Sequence, residues 1–221
     1  MNPLTLKADS IELDFSGRKI LTDVFISCTQ GEIVGLLGRN GCGKSSLLKI
    51  IFGLLKPAYK YLSIDDTYIT TGYKNSRMAY LPQQSYLPPQ IKIHDLAKML
   101  VDDFFWEDFI SHPAYIKHGQ KAIAQLSGGE QRMLETLMII YNKADFILLD
   151  EPFTHISPVQ IEELKPLIRL CAKRKGIIVT DHQYRNVLDI SDRIILLTNG
   201  CTKPINSIDD LVTYNYLSNI N

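Results

Sequence analysis

Three short stretches hold residues whose types and spacing could do chemistry. Residues 38–45 read GRNGCGKS, residues 146–151 read FILLDE and residues 126–131 read LSGGEQ. In the first, Gly38, Gly43, Lys44 and Ser45 satisfy the spacing G-x-x-x-x-G-K-[ST]. Glycines let successive backbone N–H groups turn inward around phosphate oxygens, and a helix starting just behind them adds its positive end. Lys44 then supplies a point charge to the β- and γ-phosphates, and the Ser45 hydroxyl can ligate Mg²⁺. The plain alternative is a chance glycine-rich turn. In the second stretch an apolar run ends in Asp150 and Glu151. Acids at the mouth of a buried parallel strand sit where open α/β sheets bind ligands. Asp150 can order the water around Mg²⁺, and Glu151 can polarise an attacking water as general base. A solvated strand end is the alternative there. In the third, Gly128 and Gly129 open a helix-like run with Ser127 at its N-cap position, another helix end able to attract an anion. A simple N-cap reads the same residues equally well. The chain therefore carries two candidate phosphate cradles.

The elements that must position these residues are legible in outline. IELDF, ILTDVFIS and EIVGLLG read as strands, the last continuously apolar and so buried. Lys44 to Leu54 reads as a helix that Pro57 stops. The stretch 61–81 is β-like and ends in RMAYLP. From 92 to about 142 the pattern turns helical, in the segments HDLAKMLVDDFFWEDF and GGEQRMLETLMIIY. Strands and helices then alternate: DFILLD, PVQIEELKPLIRLCAKR, GIIVTD, QYRNVLDI and RIILLTNG, with a short helix near 208–217. That alternation implies a parallel sheet covered on both faces. The expectation is one domain over 1–221, with a helical block at about 88–140 inserted between two halves of the sheet.

Composition narrows the function classes. Hydrophobic residues make up 45% of the 221, enough for a sizeable core, and Lys+Arg and Asp+Glu both number 24. A formal net charge of zero gives no electrostatic pointer to nucleic acid. Cys28, Cys42, Cys171 and Cys201 form no C-x-x-C pair, which speaks against a zinc site or disulfide framework and for a reduced compartment. The N-terminal MNPLTLKADSIELDF lacks a signal layout, and no apolar run approaches the ~18 residues of a membrane span.

GRNGCGKS, Gln83 in YLPQQ, LSGGEQ, FILLDEP and His182 in VTDHQ, in that order, resemble the ATP-binding cassette (ABC) ATPases over nearly the whole chain. LSGGE is that family's signature motif and is far more specific than the phosphate loop. The resemblance implies an α/β fold: a P-loop NTPase core with a mostly parallel sheet, an N-terminal antiparallel β subdomain and an inserted helical subdomain. It implies ATP hydrolysis coupled to transport, with ATP and Mg²⁺ as ligands. It also implies that two cassettes pair head to tail, each ATP lying between the phosphate loop of one and the signature of the other. Ser127, Gly128, Gly129 and Glu130 would then face the nucleotide of a partner chain. The implied partners are a second copy or related cassette and an integral membrane transporter subunit, with no nucleic acid. The implied location is cytoplasmic, on the inner face of the membrane through that subunit. A soluble ABC ATPase outside transport, such as a cluster-assembly type, is the alternative.

Site residues carry over by position. Phe15 stands where the family stacks an aromatic on adenine; a core strand aromatic is its alternative reading. Gly38, Arg39, Asn40, Gly41, Cys42, Gly43, Lys44, Ser45 and Ser46 would surround the phosphates. Gln83 would touch Mg²⁺ beside Ser45 and Asp150, with Gln84 a rival for the role. His182 would contact the γ-phosphate and align the water that Glu151 activates. Cys42, beside Lys44 and a helix N-terminus, is expected to be a reactive thiol. The resemblance implies that the membrane subunit docks in a groove between the glutamine loop and the helical insertion, near Tyr86, Leu87, Phe104, Phe105, Trp106 and Phe109, with Phe105 or Trp106 receiving it; the alternative is that the four aromatics from 104 to 109 all fill the helical subdomain. Met78, His94, His112, His118 and His155 read as packing or surface. Ser157 departs from the family by standing where an Asp usually lies in the loop crossing to the partner. DEPF and TDHQYRNVL look most like cassettes of lipopolysaccharide export and branched-chain amino-acid uptake.

Overall fold

Every residue is buried in β3 (Ile33–Leu37), β6 (Met78–Leu81), β7 (Phe146–Asp150) and β8 (Gly176–Thr180). Strands of that kind need cover on both faces. Ile33, Leu37, Ile147, Leu149, Ile177 and Val179 enter one apolar cluster. Val34, Leu36, Leu148 and Ile178, their period-two neighbours, enter the other. The computed structural model describes residues 2–15, 17–85 and 87–217. It joins these strands to β9 (Arg193–Thr198) and β10 (Cys201–Ile205) in a sheet of order β10-β9-β3-β8-β7-β6. All neighbours are parallel except β10 with β9. A second, antiparallel sheet of order β2-β1-β4-β5 combines β1 (Thr5–Phe15), β2 (Arg18–Thr29), β4 (Tyr59–Ile64) and β5 (Thr67–Tyr68).

One face of the parallel sheet is covered by α1 (Lys44–Phe52) and the antiparallel sheet, through Leu47, Ile51, Leu6 and Leu21. The other is covered by α5 (Gly128–Ile140), α6 (Pro158–Ala172) and α7 (Tyr184–Ile190), through Leu134, Leu137, Leu164 and Val187. Between β6 and β7, which are paired neighbours, the chain also forms α2 (Ile93–Leu100), α3 (Trp106–Ser111) and α4 (Pro113–His118). A last helix, α8 (Ile208–Thr213), follows β10.

Three local expectations are corrected. The helix at 44–54 ends at Gly53, whose φ of 106° makes a left-handed cap with its N–H on the Lys49 carbonyl. Pro57 lies beyond that stop. HDLAKMLVDDFFWEDF is not one helix. Val101 turns extended and bridges Asn142, and the Asp102 carboxylate accepts from Phe104 N, so the acid takes a backbone donor the helix would need. The pieces therefore point their aromatics separately. Phe105 and Phe109 are 4% and 0% exposed, and Trp106 packs against the same core cluster. Phe105 stacks on Tyr141 at 5.2 Å, so it fills the core and does not receive a membrane partner. Phe104 is exposed but lies under the Arg174 guanidinium at 4.0 Å. Leu87 packs on the core, and Tyr86 lies outside the described residues. Finally, β10 falls where no strand was expected; its Pro204 is tolerated because it lies on the sheet edge. Among the described residues no helix is long and apolar enough to cross a membrane.

Candidate active site

Four neighbouring strands end side by side, and each delivers one part of the chemistry. The glycine-rich loop follows β3, His182 follows β8, Asp150 and Glu151 close β7, and Gln83 follows β6. Phe15, Asn40, Gly41, Gly43, Lys44, Ser45, Ser46, Gln83, Glu151 and His182 all line one cleft of about 600 Å³. Phe15 is 50% exposed, which removes the core reading for it.

The loop is shaped for an anion. Gly41 and Gly43 have φ values of 77° and 111°, a region that side chains disfavour. A Cβ at Gly43 would in addition meet Leu21 and Ile20 at 3.0 and 3.1 Å. Helix α1 starts with no side-chain cap and no acid in its first turn, so its N-terminal N–H groups remain free for a ligand. Lys44, 8% exposed, folds back and donates to the carbonyls of Gly38 and Arg39 at 2.7 and 3.3 Å. Arg39 and Cys42 turn to the other side of the loop. Arg39 Nη2 donates to the Asn215 carbonyl at 2.5 Å, and Arg39 and Cys42 line a small cavity of about 130 Å³ with Tyr214 and Tyr216. Burial pushes the Cys42 thiol up from its ordinary value, outweighing the attraction of Lys44. The expected activated thiol is therefore corrected: helix end and lysine are nearby, but desolvation wins.

The acids are differently held. Asp150 is fully buried, accepting from Ser45 Oγ at 2.9 Å and from the Tyr80 hydroxyl at 3.0 Å. Burial raises its pKa, and these two hydrogen bonds oppose the rise. Glu151 has a φ of 55°, rare for a side chain, with its N–H on the Thr180 carbonyl at 2.7 Å. Glu151 Oε2 accepts from Gln83 Nε2 at 3.0 Å and from Thr154 Oγ1 at 3.2 Å, with His182 Nδ1 at 3.7 Å. Gln83, not Gln84, thus reaches the acid. Asp181 is buried behind His182 and accepts from the backbone N–H groups of Phe153 and Gln183 at 3.0 and 2.9 Å. It pins the loop after β7 to the loop after β8.

Ser127, Gly128, Gly129 and Glu130 do not line this cleft. Ser127 caps α5 in a reciprocal box: its Oγ accepts from Glu130 N at 3.3 Å, while Glu130 Oε2 accepts from Ser127 N at 3.0 Å. That backbone hydrogen bond, with help from Lys117, holds the Glu130 carboxyl down at about 2. His118 Nε2 lies 3.0 Å from Glu130 Oε1. Gly128 faces open space, whereas a Cβ at Gly129 would lie 2.7 Å from the His155 carbonyl. Ser157 caps α6 in a box with Gln160, a role an Asp would also fill.

Tyr80, Thr154, Asp181 and Arg132 were not anticipated as site residues. Tyr80 sits three residues before Gln83 in a buried strand and gave only an apolar signal. Thr154 and Asp181 adjoin named motifs, so proximity was their one available signal. Arg132 had a usable one, a charge spaced i, i+3 from Glu135 in a helix that also carries the apolar Met133, Leu134 and Leu137.

Comparison with known proteins agrees with this geometry. A family model described as ABC transporter matches residues 21–154. The lipopolysaccharide export system ATP-binding protein LptB of Escherichia coli (strain K12) is 30% identical over 211 residues, covering 89% of this chain and 88% of that protein. The LptB of Acidithiobacillus ferridurans is 30% identical over 226 residues, 94% of this chain and 92% of its own. Among solved structures, an ATP-binding subunit of an ABC transporter superposes with a TM-score of 0.82 at 22% identity, over 98% of this chain and 95% of that one. An ATP-bound bacterial Atm1-family ABC exporter gives 0.79 at 19% identity, over 96% of this chain and 40% of its own. These likenesses share the α/β fold of a mostly parallel sheet, an antiparallel sheet and helices. The chain belongs to the ABC transporter family, as an ATP-binding, ATP-hydrolysing subunit.

Proposed function

We propose that the chain, acting as one cassette over 1–221 with a helical arm at about 88–140, hydrolyses Mg-ATP at a site completed by the signature of a second cassette. The observation that carries this reading is the meeting of Gln83, Glu151 and His182 in one cleft with the phosphate loop. Phosphate oxygens outcompete neutral carbonyls for Lys44, which swings from Gly38 and Arg39 onto the nucleotide. The loop N–H groups and the open end of α1 receive the phosphates, and Phe15 offers its exposed face to adenine. Glu151, fixed by Gln83 and Thr154, takes the proton of the attacking water, and His182 beside it keeps that water in line. The Ser45 hydroxyl, the Gln83 side-chain oxygen and Asp150 are hard oxygen donors, a set that fits Mg²⁺. When bound, that ion offsets charge on the β- and γ-phosphates. Ser127 and Gly129 of one chain then serve the γ-phosphate on the other, since neither reaches its own cleft.

The berth for the membrane subunit is the expected groove between the glutamine loop and the helical insertion, lined by residues other than the aromatics named for it. A groove of about 940 Å³ runs between α1, β6 and α2, lined by Phe52, Leu54, Tyr73, Met99 and Leu100 together with Gln83 and Gln84. Leu54 and Met99 are 63% and 77% exposed, apolar surface that a helix of a membrane protein would cover. Gln83 borders both this groove and the ATP cleft, so an occupant touches the catalytic cluster. This reading seats the chain on the inner face of a membrane. The experiment is Glu151→Gln. Hydrolysis is expected to fall more than about 100-fold while ATP binding persists, with an ATP-bound dimer accumulating on size exclusion. Wild-type turnover in that variant removes the base assignment.

A further inference from the structure

Arg132 has no part in the chemistry above, yet it is 5% exposed and lies against the catalytic main chain. Its guanidinium donates to the carbonyls of Pro82, Asp150 and Glu151 at 2.7, 2.6 and 2.7 Å. The backbone explains why those oxygens need a donor. β6 ends at Leu81 opposite Leu149, and Pro82 brings no N–H to continue the ladder. A planar guanidinium fork presents donors from separate nitrogens in a fixed plane, whereas an ammonium's three donors leave a single point. Its charge is balanced by Glu135, also 5% exposed, at 3.6 Å. Glu135 in turn accepts from Ser85 and from Gln131 Nε2 at 3.0 Å, fastening the loop after Gln83 to α5.

Glu151 requires such a grip. Its left-handed backbone costs energy unless its surroundings fix it, and Thr180 and Arg132 hold its N–H and C=O from opposite sides. We propose that Arg132 is a positioning residue for hydrolysis: it clamps the main chain before Gln83 to the main chain of Asp150 and Glu151, so that the Gln83 amide and the Glu151 carboxylate meet at 3.0 Å. The inference rests on the reading of Glu151 as base. Arg132 belongs to the helix that Ser127 caps, so a displacement of α5 at its signature end shifts the grip on Glu151. Arg132 does not line the ATP cleft, so its loss acts on turnover and leaves nucleotide affinity alone.

The test is Arg132→Lys, which keeps a cation but cannot span three carbonyls. The kcat is expected to fall about 10- to 100-fold, the sensitivity of catalysis to ångström misplacement, with the KM and the Kd of a fluorescent ATP analogue within about twofold. A kcat within about twofold of wild type overturns the inference. So does a Kd that rises in step with the loss of kcat, the mark of a generally loosened fold. Should Arg132→Lys fail to fold, Glu135→Gln is read the same way, with a kcat loss of about threefold or more expected from a slackened clamp. Glu151→Gln is measured alongside. Wild-type turnover there defeats the base reading itself, whereas a crippled Glu151→Gln beside an unaffected Arg132→Lys defeats only the positioning role.

Discussion

Helices α1 and α5 both begin at glycines and both resemble anion sites, but their first turns are built in opposite ways. α1 has Gly43 at its N-cap, no capping side chain and no acid. α5 has Ser127 and Glu130 closed on each other, so its orphan donors are partly satisfied and a carboxylate stands in the first turn. That carboxylate stays ionised far below neutral pH. A helix end of the first kind can take phosphate alone. One of the second kind repels it unless cations arrive with the ligand, as Lys44 and a metal would in a partner's site. The difference supports the proposal that one glycine-led helix end is an autonomous cradle and the other a half-site for a partner's ligand.

The sharpest way to break this comparison is to disable each end separately. Lys44→Ala should weaken ATP binding by the isolated chain about 100-fold, since a charge-assisted contact to phosphate is worth up to about 3 kcal/mol. Ser127→Arg should leave that affinity within about twofold yet abolish hydrolysis. Mixing the two variants should restore part of the turnover, because one site of each mixed dimer pairs an intact loop with an intact signature. Equal loss of affinity in both variants, measured by fluorescent-nucleotide titration, would show that the ends are not different in kind.

Much of this was readable because period-two burial and glycine spacing are local signals. The parallel strands, the phosphate loop and the Asp150–Glu151 strand end lie where those signals put them, whereas Gln83 and His182 came from the family resemblance. What escaped depended on distant neighbours. Cys42 has the sequence surroundings of an activated thiol, and only tertiary burial reverses its shift. Phe105 or Trp106 is expected outward because four aromatics in six residues exceed one face of a continuous helix, and Asp102 breaks that helix. The clamp of Arg132 joins positions 82, 132, 150 and 151, a set no spacing rule relates.

The two signature glycines sharpen the comparison at a smaller scale. Gly129 is fixed by its own chain: an added Cβ meets the His155 carbonyl at 2.7 Å, so the helix end must part from the loop after β7. Gly129→Ala should cost about 1–3 kcal/mol, lowering Tm by several degrees by differential scanning fluorimetry. At Gly128 nothing lies within 4 Å, and alanine suits a helix better than glycine. Gly128→Ala should therefore hold or raise Tm by about 0.5 kcal/mol worth of stability while reducing hydrolysis, because its methyl group intrudes only on a partner's nucleotide. Full activity in Gly128→Ala would mean that no phosphate approaches this helix end.

The smallest expected effect concerns protons. The end of α1 presents no histidine, whereas behind the α5 box lies His118, 2% exposed, with Nε2 on Glu130 and a buried Nδ1 that has no partner. Burial lowers its pKa despite the pull of Glu130. Protonation would add an N–H at Nδ1, which has no partner, and Lys117 and Lys121 oppose it as well. The folded chain therefore binds fewer protons than the unfolded chain just below pH 6.5. Stability is then complete above that value and declines as pH falls through the lowered pKa. Glu130 remains ionised across this window and contributes no slope of its own. His112 is also lowered by burial, so wild type alone cannot assign the decline. His118→Gln keeps a donor for Glu130 and removes the titration, and should flatten the decline of Tm between pH 6.5 and 5. ATP affinity of the isolated chain should be equal in the two proteins throughout. An unchanged slope in His118→Gln would return the histidine to inert packing, and a pH-dependent difference in affinity would mean that the two helix ends are coupled within one chain.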